Sequence, residues 1–177
     1  MQLRSLNHLL EVVRAVARPE EIDVLGSSSL LGSDPTLGDP GQPIELSMDA
    51  DLLLVPCDDR VAAVVHEAVG EGSLFHREFG VFADLLKPDI EVTLPSGWRT
   101  RRIPLPGSHD VLCLHPADLA VVKLCLGRPK DMDLLAAMIR RGLVTVTYLR
   151  AWYQSAVLSE RDQFAVSRRL AELDRRA

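Results

Sequence analysis

The apolar residues of this chain change their period several times, and each change marks an element. Leu3, Leu6, Leu9, Leu10, Val13 and Val16 recur at helical spacing with Arg4, Glu11 and Arg14 on the other face. This predicts a covering helix that stops near Pro19. Ile22 to Leu25 is a short apolar run that predicts a strand, and Gly26-Ser27-Ser28 turns it directly into a short helix beginning over 27–31. Gly, Pro and Asp punctuate 32–43, where a flexible loop is expected, either a binding lid or a tolerated surface insertion. Asp49 to Val55 reads as a strand whose unbroken end, Leu52-Leu53-Leu54-Val55, implies burial on both faces.

Further along, Asp58 is placed to cap an amphipathic helix running to about Val69. Over 73–82 a helix is one option, through Phe75, His76, Phe79 and Phe82, with His76 a hydrogen-bonded structural histidine rather than a ligand. Ile90 to Leu94 alternates as a strand, Pro95-Ser96-Gly97 makes a turn, and Trp98 to Leu105 is expected to pair back as a hairpin. Its Arg99, Arg101 and Arg102 read as solvated exterior charge, with contact to a nucleotide or RNA backbone as the alternative. Val111 to Leu114 predicts another strand. Pro116 to Leu126 predicts a helix that is apolar almost all round, with Pro116 as its first residue and Gly127 as its end. From Met132 on the pattern is helical throughout, in three segments closing with a charged amphipathic tail. The expected fold is α/β (α+β): a small mixed sheet flanked by helices over 1–114, with a helical bundle over 115–177 packed on it as one structural unit.

Composition narrows the setting. The chain has 177 residues, enough for one sizeable core, and its 47% apolar and 25% charged content is that of a globular protein. A formal net charge of -5 argues against broad electrostatic binding to nucleic acid. Cys57, Cys113 and Cys125 form no close pair, so neither a disulfide framework nor a zinc site is indicated. The charged opening is not a signal peptide, and no apolar run reaches the length of a membrane span; a cytoplasmic, reduced protein with no membrane partner is expected.

The candidate chemistry sits at two places. Asp49 and Asp51 are two apart on one strand and project to the same face. Two such carboxylates repel unless a hard cation with oxygen ligands, Mg²⁺ or Mn²⁺, neutralises them; the bland alternative is a strand cap at a solvated loop end. Gly26, Ser27 and Ser28 offer backbone N–H groups and hydroxyls at a helix start, which suits phosphate. Lys123 is the one positive charge inside an apolar helix, so it must snorkel, meet Asp118, or reach a bound phosphate. Asp131, in a helix's first turn, has a structural explanation in the helix dipole and in orienting Arg128 and Lys130.

Gly26-Ser27 followed by Asp49-Ala50-Asp51 resembles the Gly-Ser and Asp-x-Asp signature of the polymerase-β-type nucleotidyltransferase superfamily, with spacing lengthened by Ser33 to Ser47. Leu94-Pro95-Ser96-Gly97-Trp98-Arg99, His115-Pro116-Ala117-Asp118-Leu119-Ala120 with Lys123-Leu124, and Gly127-Arg128-Pro129-Lys130-Asp131 are similar in order and spacing to a bacterial branch of it. That branch is the DUF6036-type nucleotidyltransferases, related to AbiEii-like toxins of toxin–antitoxin systems. The resemblance spans roughly 20–140. It implies Mg²⁺ (or Mn²⁺) on Asp49, Asp51 and a third carboxylate, open between Asp84 and Glu91. It implies a nucleoside triphosphate substrate bound by Gly26, Ser27, Ser28, Lys123, Arg128 and Lys130, with Asp49, Asp51 and Lys123 as catalytic residues. The implied acceptor is a tRNA or protein hydroxyl, and a cognate antitoxin is a possible partner. The second expectation is a non-catalytic nucleotide- or partner-binding module that keeps the fold.

Overall fold

Leu6, Leu9, Leu10 and Val13 form the buried stripe of helix α1 (Leu3–Ala17), and the chain leaves it through Arg18 in a left-handed conformation. In this computed structural model, which describes residues 1–108 and 110–176, the chain divides into two compact units. One holds Met1–Val92 and Gly97–His115; the other holds Thr93–Ser96 and everything from Pro116 on. Each is described by itself.

The first unit is built on five strands: β1 (Glu21–Val24), β2 (Asp49–Val55), β3 (Phe82–Leu85), β4 (Ile103–Pro104) and β5 (Val111–Cys113). Their order is β3-β2-β1-β5-β4. β1 runs antiparallel to β2 and parallel to β5; β2 and β3 are parallel, joined through α2 (Asp59–Val69) and α3 (Leu74–Phe79). The expected Asp58 cap forms, its carboxylate accepting from the Val61 N–H at 2.8 Å. The pleat gives the sheet two unlike faces. Ile22, Val24, Ala50, Leu52, Leu54, Val111 and Cys113 share one and are all buried. Burial pushes the Cys113 thiol up to about 12, so it is packing, not a nucleophile. The other face carries Glu21, Asp23, Asp49, Asp51 and Asp84.

Three expectations are corrected here. The loop over 32–43 is not free: it contains a 3₁₀ turn, Pro35–Gly38, capped by Asp34, and Leu37 and Ile44 are buried. A β-carbon at Gly38 would overlap the Met1 backbone, which is why glycine fits that contact. Ile90–Leu94 is not a strand but part of a 3₁₀ segment, Pro88–Thr93. Its alternation misleads because no apolar face is buried there; Val92 is 87% exposed. The expected hairpin from Trp98 is instead one helical turn, α4 (Trp98–Arg101), followed by the two-residue β4, which pairs with β5. Gly97, at φ 74°, turns the chain into α4, and burial of Trp98 holds that turn in place.

The second unit contains α5 (Pro116–Leu126), α6 (Pro129–Arg140), α7 (Val146–Ser155) and α8 (Glu160–Arg176). α5 has the bounds its pattern predicts, and Gly127 leaves it at φ 61°. The last α5 carbonyls need donors, and Arg169 of α8 supplies them, to Leu124 O at 2.9 Å and Cys125 O at 2.6 Å. Val166, Leu170 and Leu173 form the buried stripe of α8.

Candidate functional site

Asp49 and Asp51 open β2, and both are half-buried on the sheet's acidic face. Ser47 Oγ donates to Asp49 Oδ1 at 3.1 Å. The backbone of Asp51 is tied to the end of β1 by the Leu25 N–H, which donates to its carbonyl at 2.9 Å. The next residue is Gly26, where a β-carbon would overlap the Asp51 carboxylate. A side chain at position 26 would have to displace the Asp51 carboxylate, so glycine leaves that carboxylate its place beside the turn. On the other side of β2, Asp84 of β3 is the register partner of Asp51 and projects to the same face. Glu91 lies elsewhere, in the 3₁₀ segment, with both oxygens taken by Arg99 at 2.9 and 2.8 Å. Of the two acids left open by the sequence, Asp84 is brought beside the pair and Glu91 is brought to an arginine.

The Gly-Ser turn becomes a 3₁₀ helix, Ser27–Gly32, with the Ser29 N–H donating to Gly26 O at 3.0 Å. Ser27 is half-buried and reaches the surface. Ser28 and Ser29 are fully enclosed, with hydroxyls that find no hydrogen-bond partner among the described residues. In the tight 3₁₀ turn the Ser28 side chain points inward, so what Ser28 offers at the surface of the turn is its backbone.

Sequence reasoning missed a second acidic pair on the same face. Asp23, 0% exposed, receives Arg102 Nη1 on both oxygens at 2.8 and 3.0 Å, and the same nitrogen donates to Glu21 Oε1 at 2.7 Å. Arg99 Nη1 adds a bond to Glu21 at 2.9 Å and a longer one to Asp23 at 3.4 Å. Both guanidinium groups lie over the Trp98 ring, at 4.7 and 5.7 Å from its centroid. Burial raises the Asp23 pKa, against the pull of Arg102. At Glu21 burial acts in the same upward sense but Arg102 and Arg99 outweigh it, and its pKa falls. Hydrogen bonds from Arg99 lower the pKa of Glu91. Arg99 and Arg102 are thus committed to carboxylates and are not solvated exterior charge. The signal that would have found this network is the one used for Asp49 and Asp51: acids two apart on a strand.

Lys123, Arg128 and Lys130 belong to the helical unit. Lys123 is 8% exposed and meets a buried anion, with Nζ 3.5 Å from Asp131 Oδ1. Arg128 Nε donates to Asp131 Oδ2 at 2.6 Å, and the Arg128 N–H donates to the same oxygen at 3.1 Å, closing a capping box at the start of α6. Burial would raise the Asp131 pKa, but Arg128 and Lys123 together lower it. Lys130 is exposed and Asp118 is fully buried.

The sequence model of one family, DUF6036, described as a nucleotidyltransferase of unknown function, matches residues 2–170. The chain belongs to that family. No curated protein and no solved structure matches it. Membership in DUF6036 makes a nucleotide the expected kind of substrate and supports a transferase. Among the described residues, no helix is long and apolar enough to cross a membrane.

A DUF6036 protein with this acidic face also has donors of the right kind for a hard divalent cation, since all of them are carboxylate oxygens. Among the described residues, no group of three or more His, Cys, Asp or Glu side chains is placed to hold a metal ion. Mg²⁺ does not require one: it is commonly held by one or two carboxylates together with water and substrate phosphates. Asp51 beside Gly26, with Asp49 and Asp84 on the same face, fits that open kind of site.

Proposed function

We propose that this chain is a nucleotidyltransferase that uses Mg²⁺ (or Mn²⁺) to move a nucleoside monophosphate from a nucleoside triphosphate to a tRNA or protein hydroxyl. The observation that carries the reading is the place of Asp51, between the Gly26 turn on the β1 side and Asp84 on the β3 side. Asp49 and Asp51 are the residues that would hold the cation, with water and substrate phosphates filling its other positions, and Asp84 stands on the same face. When bound, such an ion neutralises triphosphate charge and makes the acceptor hydroxyl easier to deprotonate. Ser27 and the backbone N–H groups after Gly26 bind the phosphates, and the buried ion network around Asp23 keeps β1, and so the turn, in place. Nucleotidyl transfer depends on positioning and charge neutralisation more than on a covalent intermediate, so this modest set of groups suffices. Lys123 and Arg128 share the single carboxylate of Asp131 in the helical unit, and the reading is argued from the α/β unit. A toxin role with a cognate antitoxin is the form this activity takes in the AbiEii-like proteins that the sequence resembles.

The second reading is a nucleotide-binding module without turnover, favoured by the lack of a gathered three-residue metal site among the described residues. One experiment separates the two. Purified protein is given Mg²⁺ and each nucleoside triphosphate, labelled at the α- or γ-phosphate, with total tRNA and a protein fraction as acceptors. Transfer of the α-label but not the γ-label supports the enzyme. Saturable nucleotide binding with no transferred label supports the module.

A further inference from the structure

Building on the proposed transfer reaction, we infer that the acceptor is a hydroxyl-bearing protein segment, not RNA, and that it enters along a groove beside β3 formed by α2 and α3. β2 separates two sides of the carboxylates. The Gly26 turn lies on the β1 side of Asp51, while β3, an edge strand, lies on the other. If phosphates take the first side, the attacking hydroxyl must come from the second, because in-line displacement puts the incoming and leaving oxygens on opposite sides of phosphorus.

That second side is hollow. A cavity of about 230 Å³ is lined by Asp49, Phe82 and Asp84 together with His66 of α2 and Glu71 just beyond it. A larger open hollow of about 740 Å³ shares His66 and Glu71 and continues over Val16, Val64, Leu74 and Arg77. The two are neighbours, with His66 and Glu71 in the walls of both. Gly70 leaves His66 its place there, since a β-carbon at Gly70 would overlap the His66 ring. Along the outer part, apolar side chains face solvent: Leu74 is 78% exposed, and Val16 and Val64 are also exposed. An apolar run leading to a polar pocket fits a peptide, which can lay an apolar side chain on Val64 and Leu74 and a hydroxyl at Asp49 and Asp84.

Charge selects against the other macromolecule. RNA binding relies on lysines and arginines that neutralise phosphates. Apart from Asp49 and Asp84, whose charge the proposed cation would offset, the groove offers Glu71 and Glu67, and Arg77 is the one arginine among its described lining residues. A polyanion would meet carboxylates along this path, whereas a neutral or basic peptide would not. In the step itself the hydroxyl oxygen bonds to the α-phosphorus as the bond bridging to the β-phosphate breaks. Pyrophosphate leaves with that electron pair, and the hydroxyl proton passes to solvent.

The test uses the full chain, Mg²⁺, α-labelled nucleoside triphosphates and two acceptor pools: deacylated total tRNA, and a synthetic library of Ser-, Thr- and Tyr-containing peptides with apolar flanks. The expected result is label in peptide and not in tRNA. Glu71→Lys and Leu74→Asp, both at exposed positions, should each lower peptide labelling about ten-fold, with nucleotide affinity measured alongside. Label in tRNA alone, or tRNA labelling that rises in the wild-type range when peptide is absent, overturns the inference and leaves the transfer reading standing. An equal drop in nucleotide affinity in both variants also overturns it, because the groove would then hold the nucleotide. No label in either pool, with any nucleotide, overturns the transfer reading and this inference with it.

Discussion

Two neighbouring strands each carry acids two residues apart on the same sheet face, and they have opposite fates. In β1, Glu21 and Asp23 are met by Arg99 and Arg102, with Asp23 fully buried and Glu21 half-buried. In β2, Asp49 and Asp51 are met by a serine hydroxyl, a glycine turn and the register of Asp84, and Asp49 faces a cavity. The first pair has arginine partners that offset its desolvation and has become part of the scaffold. The second retains surface and carboxylate neighbours, which suits an exchangeable cation and substrate. The same spacing of residues therefore serves structure in one strand and, in the proposed reading, chemistry in the next, depending on what the tertiary fold brings opposite.

This contrast can be broken most sharply at β2. Asp49→Asn with Asp51→Asn should lower nucleotidyl transfer by about a thousand-fold or more, as expected when groups that stabilise a transition state are lost. Because both side chains are only half-buried, the melting temperature should hardly fall. Loss of fold along with activity would mean that the two pairs play the same structural role.

The converse holds at β1. Arg102→Met leaves Asp23 buried without its principal partner and should cost about 3–5 kcal/mol in urea unfolding. Adding Asp23→Asn to that variant should recover part of the loss, since the uncompensated charge is then gone. A double variant no more stable than the single one would show that Arg102 acts through packing on Trp98 rather than through Asp23.

The helical unit repeats the scaffold case. Lys123→Met removes one of the two cations on Asp131 but leaves Arg128, so the cost should be smaller, about 1–2 kcal/mol. A variant as stable as wild type that also loses nucleotide affinity would point to a phosphate role for Lys123.

The smallest effects are in the pH dependence, and two acids of the arginine network, Glu91 and Asp23, should differ in sign. Glu91 has a lowered folded-state pKa, so its contribution is present above the ordinary glutamate pKa and is lost as pH falls through the folded value. Asp23 has a raised one, so the folded state binds its proton more tightly and stability declines as pH rises from the ordinary aspartate pKa to the folded value. Melting temperatures of Glu91→Gln and Asp23→Asn, followed from the acid range to neutrality, should deviate from wild type in opposite directions. Deviations of the same sign would sink the assignment.

Much of the fold was legible because its causes are local. Helix α5 follows from an apolar run opened by Pro116 and closed by Gly127, and α2 from the Asp58 cap; both lie where the pattern puts them. β2 and the shared face of Asp49 and Asp51 follow from the two-residue pleat. What failed were segments whose apolar alternation buries nothing, as at Val92, or whose geometry follows from the burial of one large side chain, as with Trp98 in α4.

By itself, then, the sequence determined most element types, the glycine turn and the direction of the Asp49–Asp51 pair, because propensity, capping and periodicity act within a few residues. Only the tertiary structure decided that Asp84 and not Glu91 stands beside them, that Arg99 and Arg102 serve Glu21 and Asp23, that Ser28 turns inward, and that Lys123 meets Asp131. These choices depend on strand register and on which buried charge finds which partner. Both are set by contacts between segments far apart in the chain, where one step of register changes every opposite neighbour.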